Sequence, residues 1–358
     1  MSGVAPIRER QGGGLDEAGA PETHDYLTRG RALGALAMLG AILLVTASVA
    51  LACGSVHLSL LTALNDPASA DRAILMGVRM PRVLMGAIVG AVLAMVGAAL
   101  QALVRNPLAE GGILGISGGG AFGAVLAMIL FSQFGGSDVV VPVCAFGAAL
   151  LSTLAVYRLA QVEGRLEPLT LLLVGVIFNA FWGAAIMLVN SVVNFYFTHS
   201  ILFWLMGSFE APTWHEVAIV AALGAGGFAI LLGRARDLNL LSLGDDEATH
   251  LGVEVDAVRR TVFIVTSVMI GAAVSVSGVI TFVGLIVPHM LRSLFGADHR
   301  LLIPAAMLGG AAFTVTADLI ARTAIAPAEL PVGAITALCG GPFFIYVLRQ
   351  EGRRTLGL

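Results

Sequence analysis

Apolar runs long enough to cross a lipid bilayer recur along this chain of 358 residues, with little polar sequence between them. An α-helix rises about 1.5 Å per residue, so roughly 20 apolar residues cross a hydrocarbon layer of about 30 Å. Hydrophobic residues make up 58% of the chain and charged residues 12%, which excludes the balance typical of a soluble domain. We therefore expect an all-α integral membrane protein without a large extramembrane domain.

The distribution of arginine predicts how the helices thread the membrane. Six apolar runs precede the longest polar interruption, at about 233–260, and both this loop and the N-terminus carry arginines typical of the cytoplasmic side. The arginine-rich C-terminus should lie on the same side, and segment 261–295 is too long for one span, so we expect a helical hairpin there. The ten predicted transmembrane helices are 33–53, 83–103, 113–131, 139–160, 170–192, 213–232, the two of the hairpin, 301–322 and 332–349.

The chain divides into a tail and one membrane domain. Residues 1–30 are polar and glycine-rich and are expected to form a disordered cytoplasmic tail, whereas residues 31–358 form the transmembrane domain. Glycines at four-residue spacing predict close helix packing, which we interpret as contact within the subunit rather than a dimer face. These glycines are Gly86, Gly90, Gly111, Gly115, Gly119 and Gly123.

A weak internal repeat is also present. VGAVLAMVG, beginning at Val89, resembles IGAAVSVSG, beginning at Ile270, and Pro107 and Pro288 each lie ten residues after the terminal glycine of their copy. Because five predicted spans separate the copies, the repeat would be inverted in the membrane. Both prolines are interpreted as marking the ends of helices.

All twenty basic residues are arginine, and lysine is absent. A P-loop requires a lysine that reaches the terminal phosphates, so this chain cannot supply that nucleotide site. We find no motif typical of a soluble enzyme, and we predict no catalytic residue, metal site or cofactor in this chain. Four arginines fall on the outer side against the usual distribution: Arg72, Arg79, Arg82 and Arg322. Arg322 is expected to pair with Asp318, four residues earlier on the same helix.

The central loop contains the sequence SLGDDEATHLGV, from Ser242 to Val253. Gly244 and Gly252 bracket one or two predicted helical turns, with acidic residues at the N-terminal end, where they suit the helix dipole. Two interpretations remain open from these residues alone. The segment is either an ordinary solvated loop or a preformed knob that docks a cytoplasmic partner.

Several blocks together resemble the iron-siderophore, haem and cobalamin permease family of bacterial ABC importers, the vitamin B12 importer type. They include RMPRVLMGAIVGAVLAMVGAALQALVRNPLAEGGILGISGGGAFG, LNLLSLGDDEATHLGV, SGVITFVGLIVPHMLRSLFGADHRLLIPAAMLGGAAF, ADLIAR and ELPVGAITALCGGPFF, in family order. The resemblance implies the vitamin B12 importer-type permease fold, with ten transmembrane helices per subunit in a homodimer of the bacterial inner membrane. It also implies two separate ATPase subunits that bind ATP and Mg, and a periplasmic binding protein; no nucleic-acid partner is expected.

The resemblance assigns expected roles to three groups of residues. Arg79, Arg82 and Arg322 match outward arginines that receive carboxylates of the binding protein, through exposed guanidinium groups; anchoring of lipid phosphates is the alternative, and Arg72 has no assigned role. The segment that couples to the ATPase matches Ser242, Leu243, Gly244, Asp245, Asp246, Glu247, Ala248, Leu251 and Gly252. The translocation path is expected to include Asn179, Asn190 and Asn194.

The cargo and the class of transporter leave alternatives open. Haem is the preferred cargo. Ferric siderophore and cobalamin remain alternatives, because no residue in the sequence identifies the ligand directly. A secondary transporter from a different class would also carry an inverted repeat, but it should have coupling carboxylates in the middle of the membrane.

Overall fold

A computed structural model describes residues 29–54, 56, 58–131 and 137–356. The predicted tail, apart from its last two residues, lies outside this range, and α1 already begins at Arg29. The helices are α1 (Arg29–Ala52), α2 (Leu60–Asn65), α3 (Ala70–Ile74), a π-helical turn (Leu75–Arg79), α4 (Met80–Leu103), α5 (Ile116–Phe131), α6 (Ser137–Leu159), α7 (Pro168–Val192), α8 (Phe195–Leu205), α9 (Trp214–Gly233), α10 (Ala235–Leu241), α11 (Asp245–His250), α12 (Val255–Ser277), α13 (Val283–Phe295), α14 (His299–Thr323) and α15 (Val332–Leu356). Strands β1 (Gln161–Val162) and β2 (Arg165–Leu166) form a short antiparallel hairpin between α6 and α7.

Seven described helical segments are long and apolar enough to cross a membrane: α1, the continuous stretch Ala70–Leu103, most of α6, α7, α9, α12 and α14. Three shorter apolar helices, α5, α13 and the first part of α15, accompany them. The segments predicted as spans therefore fall on helices. Two helices are present in 261–295, as predicted, because α12 ends at Ser277 and α13 begins at Val283, but both pack on α4 and they do not form a tight hairpin with each other.

Helix α4 lies at the centre of the subunit and is buried along most of its length. Its glycines bring it into backbone contact with two other helices. A Cβ atom added at Gly90 would lie 2.3 Å from the Gly310 carbonyl oxygen of α14, and one added at Gly97 would lie 1.8 Å from the Gly284 carbonyl oxygen of α13. The prediction that small residues serve packing within the subunit is confirmed at Gly90.

The two copies of the weak repeat occupy different positions in their helices. The first copy, ending at Gly97, lies in the interior of α4, whereas Gly278 at the end of the second copy terminates α12 with a positive φ of 66°. Pro107 follows the end of α4, as predicted, but the prediction that Pro288 ends a helix is wrong, because it lies inside α13. Proline leaves the carbonyl four residues earlier without its helical donor. Gln101 Nε2 donates to that carbonyl, of Gly284, at 3.1 Å, and so satisfies it.

Helix α7 packs on α5 and α6 and leaves a long apolar surface uncovered. The exposed side chains repeat at the spacing of one helix face. They are Leu169, Leu173, Val176, Ile177, Phe181, Met187, Leu188 and Val192. A surface of this kind lies against lipid or against another protein subunit.

Candidate functional site

The outer arginines meet because α4 packs along α14. Arg79 is the last residue of the π-helical turn, Arg82 lies in the first turn of α4, and Arg322 lies in the last turn of α14. The antiparallel pairing of α4 and α14 brings the start of one to the end of the other. Asp318, one turn before Arg322, then faces Arg82 across the helix contact.

Arg82 binds two carboxylates. Its Nε donates to Asp318 Oδ2 at 3.1 Å and its Nη2 donates to Oδ1 at 2.9 Å, so this pair has the bidentate geometry typical of arginine. The Arg82 and Asp318 side chains are only 8% and 3% exposed. Nη1 donates to Glu329 Oε2 at 2.8 Å, from the loop between α14 and α15, and the Glu329 side chain is 33% exposed.

Arg79 and Arg322 bind the C-terminal end of α1. Arg79 Nη1 donates to the carbonyls of Leu51 and Ala52 at 2.9 and 2.8 Å, and Arg322 Nη2 donates to the carbonyl of Ala50 at 2.5 Å. The last carbonyls of a helix lack intrahelical donors and carry partial negative charge, so a guanidinium suits them. The two arginines therefore act as a C-terminal cap built from other helices.

The expectation that these guanidinium groups are exposed is wrong. Arg79, Arg82 and Arg322 are 4%, 7% and 3% exposed, because partners within the chain surround them. The predicted pair of Arg322 with Asp318 is present but long, with Arg322 Nε 3.5 Å from Asp318 Oδ2. Asp318 makes its shorter contacts with Arg82. Docking of a partner on this group stays a prediction. Arg72, at the end of α3, is half-buried.

The loop predicted to couple to a partner forms a compact projection that we call the coupling segment, Ser242–Gly252. Gly244 (φ 142°) and Gly252 (φ 86°) bracket α11, which confirms the short helix expected between these glycines. Ala248 is fully buried against the core and accepts a hydrogen bond from Val253 N at 2.9 Å. The remaining members of the segment shape its outer surface. Leu243, Asp246, Glu247 and Leu251 are exposed, as is Ser242.

Two arginines anchor the coupling segment at Asp245. Arg259 Nη2, on α12, donates to Asp245 Oδ1 at 2.7 Å, and Arg105 Nη2, just after α4, lies 3.5 Å from the same oxygen. Arg259 is 5% exposed, and its Nε has no hydrogen-bond partner among the described residues. Sequence reasoning did not predict the contact of Arg259 with Asp245, because fourteen residues separate them and no local pattern relates them.

A second anchor joins the helix before the segment to α14. Asn239, on α10, donates to Asp298 Oδ1 at 2.8 Å and accepts from the His299 backbone N–H at 2.8 Å. Asp298 caps the N-terminus of α14 by accepting from Arg300 N. The Arg300 side chain donates to the same carboxylate and, with Asn239, lowers the pKa of Asp298 to about 2. The base of α14 is thereby tied to the coupling region.

A charged cleft of about 810 Å³ adjoins the coupling segment. The β1–β2 hairpin forms one side and α11 with the start of α12 forms the other, and Arg165 Nε lies 3.4 Å from Asp256 Oδ2 across it. Charges of both signs line the cleft. They are Arg105, Arg165, Arg259, Arg260, Glu167, Asp245, Asp246, Glu254 and Asp256.

The asparagines predicted to line a path are not brought into one cluster. Asn179 and Asn190 share one face of α7 about three helical turns apart, and Asn194 precedes α8. Asn179 is exposed beside Gly118 of α5, where an added Cβ would lie 2.9 Å from its Oδ1. Asn190 Oδ1 is buried without a hydrogen-bond partner in the described part of the chain.

The helices long and apolar enough to cross a membrane indicate a multi-pass membrane protein, and comparison with known proteins gives its family. Residues 38–350 match the FecCD transport family, so the chain belongs to that family. Its relatives are transport permeases of ABC importers, and this family assignment decides against the secondary-transporter alternative.

The chain is similar to permeases named for different cargoes. It is 44% identical over 283 residues to the cobalamin import permease BtuC of Halobacterium salinarum, covering 78% of this chain and 74% of the relative. It is 39% identical over 333 residues to the hemin transport permease HmuU of Yersinia pestis, covering 89% and 97%. A solved metal-chelate type ABC transporter in an inward-facing conformation superposes with a TM-score of 0.78 at 32% identity, covering 89% of this chain and 99% of that one.

Proposed function

We propose that the chain is the membrane-spanning subunit of an ATP-driven importer in the bacterial inner membrane. Two copies would form the translocation path, two separate ATPase subunits would bind ATP and Mg, and a periplasmic binding protein would deliver the cargo. The observation that carries this proposal is the coupling segment. It presents Leu243 and Leu251, 64% and 57% exposed, beside Asp246 and Glu247, on a segment that Asp245 ties to Arg259 and Arg105.

The anchors of the coupling segment supply a mechanical route from the ATPase into the membrane. Asp245 connects the segment to α12 through Arg259 and to the end of α4 through Arg105, and Asn239 connects α10 to α14. A displacement of the segment on ATP binding would therefore act on three membrane helices. Alternating access of the path to the two sides follows from such rigid coupling.

The exposed apolar face of α7 supports a homodimer with the path at its axis. The face continues over several turns, and Asn179 lies beside it. A large, rigid chelate needs a wide path with weak contacts, which suits apolar walls with scattered amides. In this arrangement each subunit contributes ten transmembrane helices, with α5, α13 and α15 crossing alongside the seven longer ones. We also propose that the two copies of the weak repeat, which begin at Val89 and Ile270, are inverted relative to each other in the membrane.

Haem is the proposed cargo, and cobalamin is the second candidate. The hemin permease supports haem because the similarity extends over nearly the whole of both chains. The cobalamin permease supports the alternative because its identity is higher over a shorter stretch. Ferric siderophores form a third class, since the chain is also 35% identical to the FhuB iron(3+)-hydroxamate permease of Bacillus subtilis.

The outer arginine group is the proposed landing site for carboxylates of the binding protein. Arg82 Nη1 already holds the one-third exposed carboxylate of Glu329, so the local geometry accepts this chemistry. Arg79 and Arg322 would support the site by fixing the end of α1 beside it. Arg82→Glu is expected to abolish binding of the periplasmic protein.

The decisive experiment is ATP hydrolysis by the detergent-purified complex, isolated through a tag on this chain after expression with its genomic neighbours. Hydrolysis that rises on adding a binding protein loaded with haem, cyanocobalamin or a ferric hydroxamate would establish the importer and identify its cargo class. A stable homodimer that copurifies with no ATPase and responds to none of these proteins would contradict the proposal.

A further inference from the structure

Arg82 is bound by two carboxylates of the same chain that differ in exposure. Nε and Nη2 are bound by Asp318, which is buried. Nη1 is bound by Glu329, which precedes α15 and is one-third exposed. The two carboxylates therefore differ: Asp318 is fixed in the core, whereas Glu329 lies between Arg82 and the solvent.

We propose that Glu329 is an internal placeholder that a carboxylate of the binding protein displaces from Arg82 on docking. This inference rests on the proposed function and specifies how its outer site is regulated. The partner is identified by its chemistry, a protein surface that presents Asp or Glu side chains. A buried guanidinium with Nη1 unpaired would be unfavourable between docking events, and Glu329 prevents that state.

The surrounding backbone is compatible with release of the carboxylate alone. Leu330 N donates to the Ala321 carbonyl at 2.9 Å, and Ala328 N donates to the Ile325 carbonyl at 3.2 Å, so the loop is held on both sides of Glu329. The Glu329 side chain can then rotate into solvent while the loop stays in place. Displacement exchanges one ion pair for another, so the net gain on docking is smaller than that of a new pair.

Displacement would also remove a link between two helices. The Arg82–Glu329 pair connects the first turn of α4 to the residues just before α15, which begins at Val332. A docked carboxylate that takes Nη1 removes this connection. The outer end of α15 would then respond to the binding protein, without any contact between that protein and α15 itself.

The test compares Glu329 variants in the complete complex, reconstituted in lipid nanodiscs, with the binding protein from the same locus as the probe. Glu329→Gln should bind the probe about two- to five-fold more tightly, because the competing carboxylate is lost. Glu329→Asp keeps the charge but shortens the side chain by one methylene, and it should also bind more tightly. Glu210→Gln, which removes an exposed charge on the loop between α8 and α9, is the matched control and should leave the affinity unchanged.

The outcomes separate this inference from the proposed function. If the wild type binds the probe and neither Glu329 variant binds it more tightly than the wild type, the placeholder role of Glu329 is overturned. The proposed importer function is not affected by this outcome. The placeholder role is also overturned if Glu210→Gln gains as much affinity for the probe as Glu329→Gln while Glu329→Asp gains none. The change in net charge would then explain the higher affinity. Wild-type protein that binds no probe overturns both proposals.

Discussion

The carboxylate of Asp245 lies 2.7 Å from the guanidinium of Arg259 and joins the coupling segment to α12. Arg105 approaches the same oxygen from the end of α4, at 3.5 Å. Asp245 is the first residue of α11, where a negative charge also suits the helix dipole. One side chain thus fixes the segment to two membrane helices that are far apart in sequence.

Asp245→Asn is expected to weaken coupling without preventing assembly. The substitution removes the charge that holds Arg259 and Arg105, a change of about 1.5 kcal/mol or more for a hydrogen bond between charged groups. Transport per ATP hydrolysed should fall roughly ten-fold in proteoliposomes. Glu254→Gln, an exposed neutralisation next to the segment, is the control and should behave as wild type. An unchanged ratio of transport to ATP hydrolysis in Asp245→Asn would show that the contacts of Asp245 do not transmit movement of the ATPase to the membrane helices.

A double charge reversal on the outer side of the segment tests the ATPase contact itself. Asp246→Arg with Glu247→Arg changes two exposed side chains, so membrane insertion should be intact. Stimulated ATPase activity and uptake should both be lost, because the docking surface would carry the opposite charge. Insertion can be checked by size-exclusion chromatography of the purified subunit. Normal uptake by this variant would refute the assignment of the coupling segment.

Gly97→Ala is expected to destabilise the subunit by about 3 kcal/mol. The added Cβ would lie 1.8 Å from the Gly284 carbonyl oxygen, so α4 and α13 must move apart. Gly183→Ala on α7 provides the control, since an added Cβ there meets nothing within 4 Å. Thermal unfolding in detergent should separate the two variants by several degrees. Equal melting temperatures would contradict the helix contact.

The cap of α14 predicts an acid-sensitive contribution to stability. The pKa of Asp298 is about 2, below its ordinary value of 3.8, mainly because the Arg300 side chain donates to the ionised carboxylate. A lowered pKa stabilises the folded state above the ordinary value, and this stabilisation is lost as the pH falls toward 2. Wild-type protein should therefore exceed Asp298→Asn in stability at pH 6, with the difference shrinking below about pH 4. A difference that stays constant down to pH 2.5 would exclude this cap.

The helices were predictable because each apolar run and its arginine flank are local signals. The short helix α11 was also predictable, since Gly244 and Gly252 bracket it. The burial of Arg79 and Arg322 was not, because their partners are the last carbonyls of α1, and sequence carries no sign of that contact. The prediction that Pro288 ends a helix was wrong for a similar reason. Gln101, on another helix, replaces the donor that proline removes, and the sequence around Pro288 does not show this contact.

The close contacts at Gly90 and Gly97 join α4 to α14 and α13 as one rigid unit. At Gly97 the backbones of α4 and α13 touch directly, so no side chain lies between them to change rotamer and absorb sliding. At Gly90 the Gly310 carbonyl and the buried Thr314 side chain of α14 fill the contact. Distance probes placed on α4 and α14 would report one separation throughout the transport cycle. A displacement of the coupling segment would therefore move α4, α13 and α14 together, as one body.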